Sequence, residues 1–238
     1  MKNKIFQFIW SIVKALIKKR PFNQRDFFDS YGPMFVAQDK LARIFDKNYL
    51  ALLGDSEIEG MADREYMASF DMVVANYGKG GSKPYHIIQF LLQNKYGKKL
   101  YKSLKNRMVI ISNGGNSMWA NETLNIKEEL SVIRHLLPLS IMVTLPPVHA
   151  DWLDALDDGT IYDKTAEEYN NMVDEINGYI WDLWGIWVID INTILTNPEE
   201  QKAFWFALKD PVHYSDFSEM VFRKLGEAII KFIRKVRK

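Results

Sequence analysis

Short apolar runs alternate with amphipathic stretches along most of the chain. The runs are YLALLG (49–54), FDMVVAN (70–76), RMVIISN (107–113), LSIMVTL (139–145) and IWVIDI (186–191). They are rich in Val and Ile and bounded by Gly, Asn and Pro, the signature of strands buried on both faces. Helix-like stretches lie between and after them, at 57–69, 84–104, 122–136, 165–184 and 215–236. Strands alternating with helices predict an α/β fold, a three-layer α/β/α sandwich around a five-stranded parallel sheet. Ahead of the first run, residues 20–48 read as a lead-in with a short helix around Gln38 to Phe45. Open parallel sheets place their chemistry at the carboxyl ends of the strands. The positions to inspect are therefore those just after Leu53, Ala75, Ile111, Leu145 and Ile191.

The first twenty residues have a different pattern. Ile5, Phe8, Ile9, Ile12, Val13, Leu16 and Ile17 fall on one helical face, with Gln7, Ser11, Lys14 and Lys18 opposite. The apolar run is shorter than the roughly 20 residues a spanning helix needs. No small-x-small cleavage site precedes Lys18, Lys19 and Arg20. The expectation is an amphipathic helix without a cleavable signal, in a protein that is cytoplasmic or peripheral to the membrane. Two readings of that helix stay open: packing on the domain, or contact with a membrane surface through Trp10 and the flanking lysines. The basic, amphipathic stretch from Gly226 to Lys238 reads instead as a last helix covering the sheet. The chain divides into residues 1–48, amphipathic helix and lead-in, and residues 49–238, a single α/β domain.

Composition narrows the chemistry. Of 238 residues, 31 are basic and 30 acidic, and the net charge of +1 offers no broad field for nucleic acid. With no cysteine, disulfides, thiolate metal sites and a cysteine nucleophile are excluded. Neither a cofactor nor a metal is expected. His149 with Asp151, Asp154, Asp157 and Asp158 is read as part of an acidic solvated loop, a metal site being the competing reading. The Pro146–Thr165 segment is long for a connection and would wall the substrate pocket. Trp181, Trp184 and Trp187 form a stripe that reads as core packing rather than a carbohydrate platform. His86 and His135 lie in helical patterns and read as packing or surface residues.

The strand ends carry four groups of residues. The first strand runs into Gly54-Asp55-Ser56-Glu57, a sharp turn toward a helix that would expose a serine hydroxyl at the sheet edge. The second runs into Asn76-Tyr77-Gly78-Lys79-Gly80-Gly81-Ser82, which lacks the spacing and Gly-Lys-Ser/Thr ending of a P-loop. Its glycines would let backbone N–H groups approach a reacting atom. The third runs into Asn113-Gly114-Gly115-Asn116-Ser117, another glycine turn with side-chain amides. Asp210-Pro211-Val212-His213 precedes the last helix.

In this order, these groups resemble the four blocks of the SGNH, or GDSL-type, hydrolases, over roughly residues 49–228. The resemblance implies a flavodoxin-like fold and an ester hydrolase. Carried over by motif position, Ser56 is the nucleophile, His213 the general base and Asp210 the group orienting the imidazole. The oxyanion hole would take the Ser56 backbone N–H, the Gly81 N–H and the Asn116 side chain, with Gly78 the alternative to Gly81. The assignment suits the chemistry, since a serine hydroxyl needs a base within reach and a carboxylate to fix the base's tautomer. Two positions depart from the family pattern. Glu57 stands where an aliphatic residue is usual, and Ser117 stands where an aspartate usually orders the oxyanion loop.

These readings imply a small-molecule, carbohydrate or lipid ester as substrate, and a serine ester hydrolase or O-deacetylase as the enzyme. An acyltransferase with the same triad and a non-catalytic membrane-associated scaffold are the alternatives. The sequence leaves the oligomeric state open.

Overall fold

The computed structural model describes residues 28, 30–56, 58, 73–119, 125–147, 164–194 and 218–236. The amphipathic stretch 5–17, the Asp210–His213 motif, His149 and most of Pro146–Thr165 lie outside them.

Five strands form one parallel sheet: β1 (Leu50–Gly54), β2 (Val74–Gly78), β3 (Val109–Ser112), β4 (Ser140–Val143) and β5 (Val188–Ile189). Their order is β2-β1-β3-β4-β5, so the winding reverses between β1 and β3. In doubly wound sheets, the crevice for ligands opens at that reversal. The register brings the three strand ends level there, with Gly54 opposite Gly78 on one side and Ser112 on the other. β1, β3 and β4 are buried along their whole lengths, as continuous apolar runs require in a sheet covered on both faces.

The helices are α1 (Gly32–Phe45), α2 (Pro84–Gln93), α3 (Lys95–Leu104), α4 (Gly115–Trp119), α5 (Ile126–Leu136), α6 (Ala166–Trp184), α7 (Ile191–Ile194) and α8 (Ser218–Val236). Helices α1, α3, α2, α5 and α6 pack in succession as one layer, while α8 packs on β5 and α7. The result is the expected three-layer α/β/α sandwich.

Three sequence expectations need adjustment. The short helix foreseen at Gln38–Phe45 begins earlier, at Gly32, with Pro33 in its first turn, where the missing N–H costs nothing. This lead-in belongs to the core: Phe28 and Phe35 are fully buried, and Phe35 meets both Tyr77 and Phe90 edge-on. The stretch 84–104 is two helices broken at Asn94, whose carboxamide oxygen accepts from the N–H groups of Tyr96 and Gly97 and so caps α3. The second strand, read from its apolar run as 70–76, is Val74–Gly78, and takes in Tyr77 and Gly78 beyond that run.

The tryptophan stripe is divided among three environments. Trp184 is buried and its indole N–H donates to Ser140 Oγ at 2.9 Å, whereas Trp187 packs on Phe232 and Trp181 is exposed. Among the described residues, no helix is long and apolar enough to cross a membrane.

Candidate active site

The chain leaves β1 through Gly54, which has no room for a side chain beside the Ser112 carbonyl. Asp55 is buried, and its N–H donates to that carbonyl at 3.2 Å, so the turn is anchored to β3. Ser56 follows, half-buried at the start of a helical segment that continues at Ile58. The turn is also tied to β2: Asn76 Nδ2 donates to the Ile58 carbonyl at 2.5 Å, and Asn76 Oδ1 accepts the Gly78 N–H at 2.8 Å. Gly78 therefore already spends its N–H on Asn76. Of the two glycines the sequence left open, Gly78 is the one whose N–H is engaged within its own strand.

Residues 79–82 form a tight turn closed by the Ser82 N–H on the Lys79 carbonyl, 3.1 Å. Gly81 is its third residue, with φ +74, the left-handed conformation that type II turns reserve for glycine. Both ends of the turn hang on one atom. The Lys79 N–H and the Ser82 hydroxyl both donate to the Gly54 carbonyl, at 3.1 and 2.8 Å.

The third side of the site comes from the loop after β3. Asn113 is fully buried, and its Nδ2 donates to Ser82 Oγ at 2.9 Å and to the Ser82 carbonyl at 3.2 Å. Asn116 Nδ2 donates to the same carbonyl at 3.1 Å. The structure thus brings the Gly81 turn, the Asn116 amide and the turn carrying Ser56 together around Ser82. At Ser117, the hydroxyl is buried without a hydrogen-bond partner among the described residues. The backbone N–H groups of Ser117 and Met118 both reach the Gly114 carbonyl, at 3.0 and 3.3 Å. Loop order here comes from that helical turn and from the Asn113 and Asn116 amides, not from a side chain at 117.

The other sheet-edge groups are committed elsewhere. Asp190, beyond β5, accepts from Thr144 Oγ1 at 3.0 Å and from the Asn192 N–H at 3.1 Å, joining β4 to β5. Asn177 of α6 pairs with both polar groups of Leu145, accepting its N–H at 2.8 Å and donating to its carbonyl at 2.9 Å. His86 caps its own helix: Nδ1 accepts the Lys83 N–H at 3.1 Å, which places the ring proton of a neutral imidazole on Nε2. His135 is exposed on α5. Among the described residues, no three His, Asp or Glu side chains gather as a metal site would need.

Sequence reasoning singled out Ser56, Gly81 and Asn116, and passed over Ser82, Asn113 and Asn76, the buried side chains that hold them. The one available signal was the polarity of these side chains directly beside glycine turns at strand ends.

The same architecture occurs in solved enzymes. A GDSL-like lipase from Bacteroides thetaiotaomicron superposes with a TM-score of 0.58 at 12% identity, over 84% of this chain and 97% of its own. The fold is that of the SGNH, or GDSL-type, hydrolases. The catalytic domain of peptidoglycan O-acetyltransferase A from Streptococcus pneumoniae shares this SGNH fold, with a TM-score of 0.53 at 17% identity, over 80% of this chain and 94% of its own. So does an alpha/beta hydrolase from the metagenome of Lake Arreo, with 0.51 at 11% identity, over 78% and 94%. No family model and no curated protein matches the sequence. At such identities the likeness is one of fold.

Proposed function

We propose that the chain is a carboxylic ester hydrolase that works through an acyl-enzyme on Ser56. The observation that carries this reading is the convergence at the sheet reversal. The Ser56 turn, the Gly81 turn and the Asn116 amide are joined there by hydrogen bonds from Ser82 Oγ to the Gly54 carbonyl and from Asn116 Nδ2 to the Ser82 carbonyl. A half-buried serine on a turn tied to a glycine turn and a side-chain amide suits the addition of a hydroxyl to an ester carbonyl.

In this reading Ser56 Oγ attacks the carbonyl carbon as His213 takes its proton, and Asp210 holds the imidazolium. The carbonyl π pair moves onto oxygen, and the oxyanion accepts hydrogen bonds from the N–H groups of Ser56 and Gly81 and from Asn116 Nδ2. The intermediate collapses, and the alcohol leaves with the proton held by His213. Water then adds to the acyl-enzyme by the same steps and releases the acid. The substrate class is a small-molecule or carbohydrate ester.

Acyl transfer needs the same groups, with an alcohol replacing water in the second half, and the O-acetyltransferase domain of the same fold makes it the second reading. The test is a panel of p-nitrophenyl esters of graded chain length on wild type, Ser56→Ala and His213→Ala. Hydrolysis by wild type and its loss in both variants is expected. Undiminished turnover by Ser56→Ala would overturn the nucleophile. Turnover that appears only when a sugar or alcohol acceptor is added would establish the transferase, and a wild type inert under both conditions would point to a scaffold.

A further inference from the structure

Ser82 sits at the centre of the hydrogen bonds just described, and no sequence motif gives it a role. It is fully buried, and every polar atom it has is engaged. Directions follow from the chemistry of the partners. The Gly54 carbonyl can only accept, so the single Ser82 hydroxyl proton goes to it; Asn113 Nδ2 can only donate, so it fills a lone pair of the same oxygen. The Ser82 carbonyl takes one amide hydrogen from Asn113 and one from Asn116. The N–H closes the turn containing Gly81.

We infer that Ser82 is a positioning residue that sets the spacing of the oxyanion donors relative to the nucleophile turn. The inference rests on the hydrolase reading above. Its hydroxyl fixes the far end of the Gly81 turn to the carbonyl two residues before Ser56, and its carbonyl holds the Asn116 amide on the other side. Three segments far apart in sequence are thereby referred to one residue. Oxyanion donors stabilise a transition state only within a few tenths of an ångström of their proper place, and displacing reacting groups by about 1 Å costs on the order of 100-fold in rate.

The bonds also separate a positioning role from a merely structural one. If the hydroxyl is removed, the Gly54 carbonyl keeps the Lys79 N–H, and Asn113 Nδ2 keeps the Ser82 carbonyl. Neither partner is orphaned, so the fold survives while the turn gains freedom. Losing the hydroxyl should therefore act on the rate of the chemical step more than on stability or on substrate binding.

Ser82→Ala and Ser82→Cys serve as the test, with p-nitrophenyl acetate as substrate, a fluorophosphonate as a label for Ser56, and thermal melting on each protein. The expected result for Ser82→Ala is a kcat lower by about 10- to 100-fold with KM within about threefold. Fluorophosphonate labelling should slow by a similar factor, with the melting transition still cooperative. Ser82→Cys, which is slightly larger and donates only weakly, should fall between, and it decides the matter if the alanine variant does not fold. A kcat within twofold of wild type in a folded variant would overturn the inference, as would a loss residing wholly in KM. Ser56→Ala run alongside separates the two claims. If Ser56→Ala is dead and Ser82→Ala is unimpaired, only the role of Ser82 falls; if Ser56→Ala still turns over and the label marks another residue, the hydrolase reading falls with it.

Discussion

The carbonyl oxygen of Ser112 occupies the space that any side chain at position 54 would need. A Cβ on Gly54 would lie 2.1 Å from that oxygen and 2.6 Å from Ile58 Cγ1. β1 and β3 can therefore stay in register up to their last residues only with glycine at this point, where the turn to Ser56 begins. Gly54→Ala must push β3 away or twist the turn. The expected cost is about 2–3 kcal/mol in urea denaturation, with esterase activity falling further than stability because Asp55 and the Ser82 hydroxyl both bond across this junction.

Asn116→Ala removes the one side-chain donor assigned to the oxyanion. The expected outcome is a drop in kcat of about 100- to 1000-fold with little change in KM. Melting should hardly change, since Asn113 still donates to the Ser82 carbonyl. Steady-state kinetics on an activated ester checks it.

Asn177 matters to stability rather than chemistry. Its carboxamide satisfies both the N–H and the carbonyl of Leu145 where the chain leaves β4, and the site is buried. Asn177→Leu keeps the bulk and leaves two buried backbone groups unpaired, at a cost of about 2–4 kcal/mol. Chemical denaturation measures it, and the lost stability should be accompanied by weakened protection of the Leu145 amide in hydrogen exchange.

Alkaline pH should unfold the protein through a pair of buried phenols. Burial pushes the Tyr77 hydroxyl far above its ordinary value of 10.0, with the neighbouring Tyr49 adding to the shift. Tyr49 is raised as well, first by burial and then by its hydrogen bond to Asp39. The folded chain holds these protons more tightly than the unfolded chain, so the stabilisation is complete below pH 10 and is lost as pH rises above it. Urea midpoints measured from about pH 9 to about pH 11 should fall steadily in wild type, and less steeply in Tyr77→Phe.

The sequence made the sheet legible because buried parallel strands are written as unbroken apolar runs, and all five were placed within a few residues. The largest displacement, in β2, has a local cause. Asn76 and Gly78 look like turn residues, yet they remain in the strand because Asn76 satisfies itself on Gly78 and Ile58. Such pairing depends on a segment 18 residues away and leaves no periodic trace. Asn94 shows the reverse: an asparagine between two good helical patterns reads as part of one helix until its carboxamide is seen capping the next.

At the site, Ser56, Gly81 and Asn116 could be picked out because each follows a strand end and fits a block of the family pattern. Ser82 could not, since its importance arises only when the Gly54 turn, 28 residues before it, and the loop after β3, 31 and 34 residues beyond it, meet on it. Asp210 and His213 lie outside the described residues, and their roles rest on motif position alone.

The bonds that hold Gly81 and Asn116 beside Ser56 run among β1 and the turns after β2 and β3. In the proposed mechanism, recognition of the oxyanion and supply of the proton acceptor therefore fall to different stretches of chain. A protein stripped of its base, as in His213→Ala, should keep a ready-made cradle for a tetrahedral anion while being unable to create one. Such a variant should bind a tetrahedral-anion mimic while leaving esters intact, and a series of mimics with varied side groups would show which ester the cradle is shaped for.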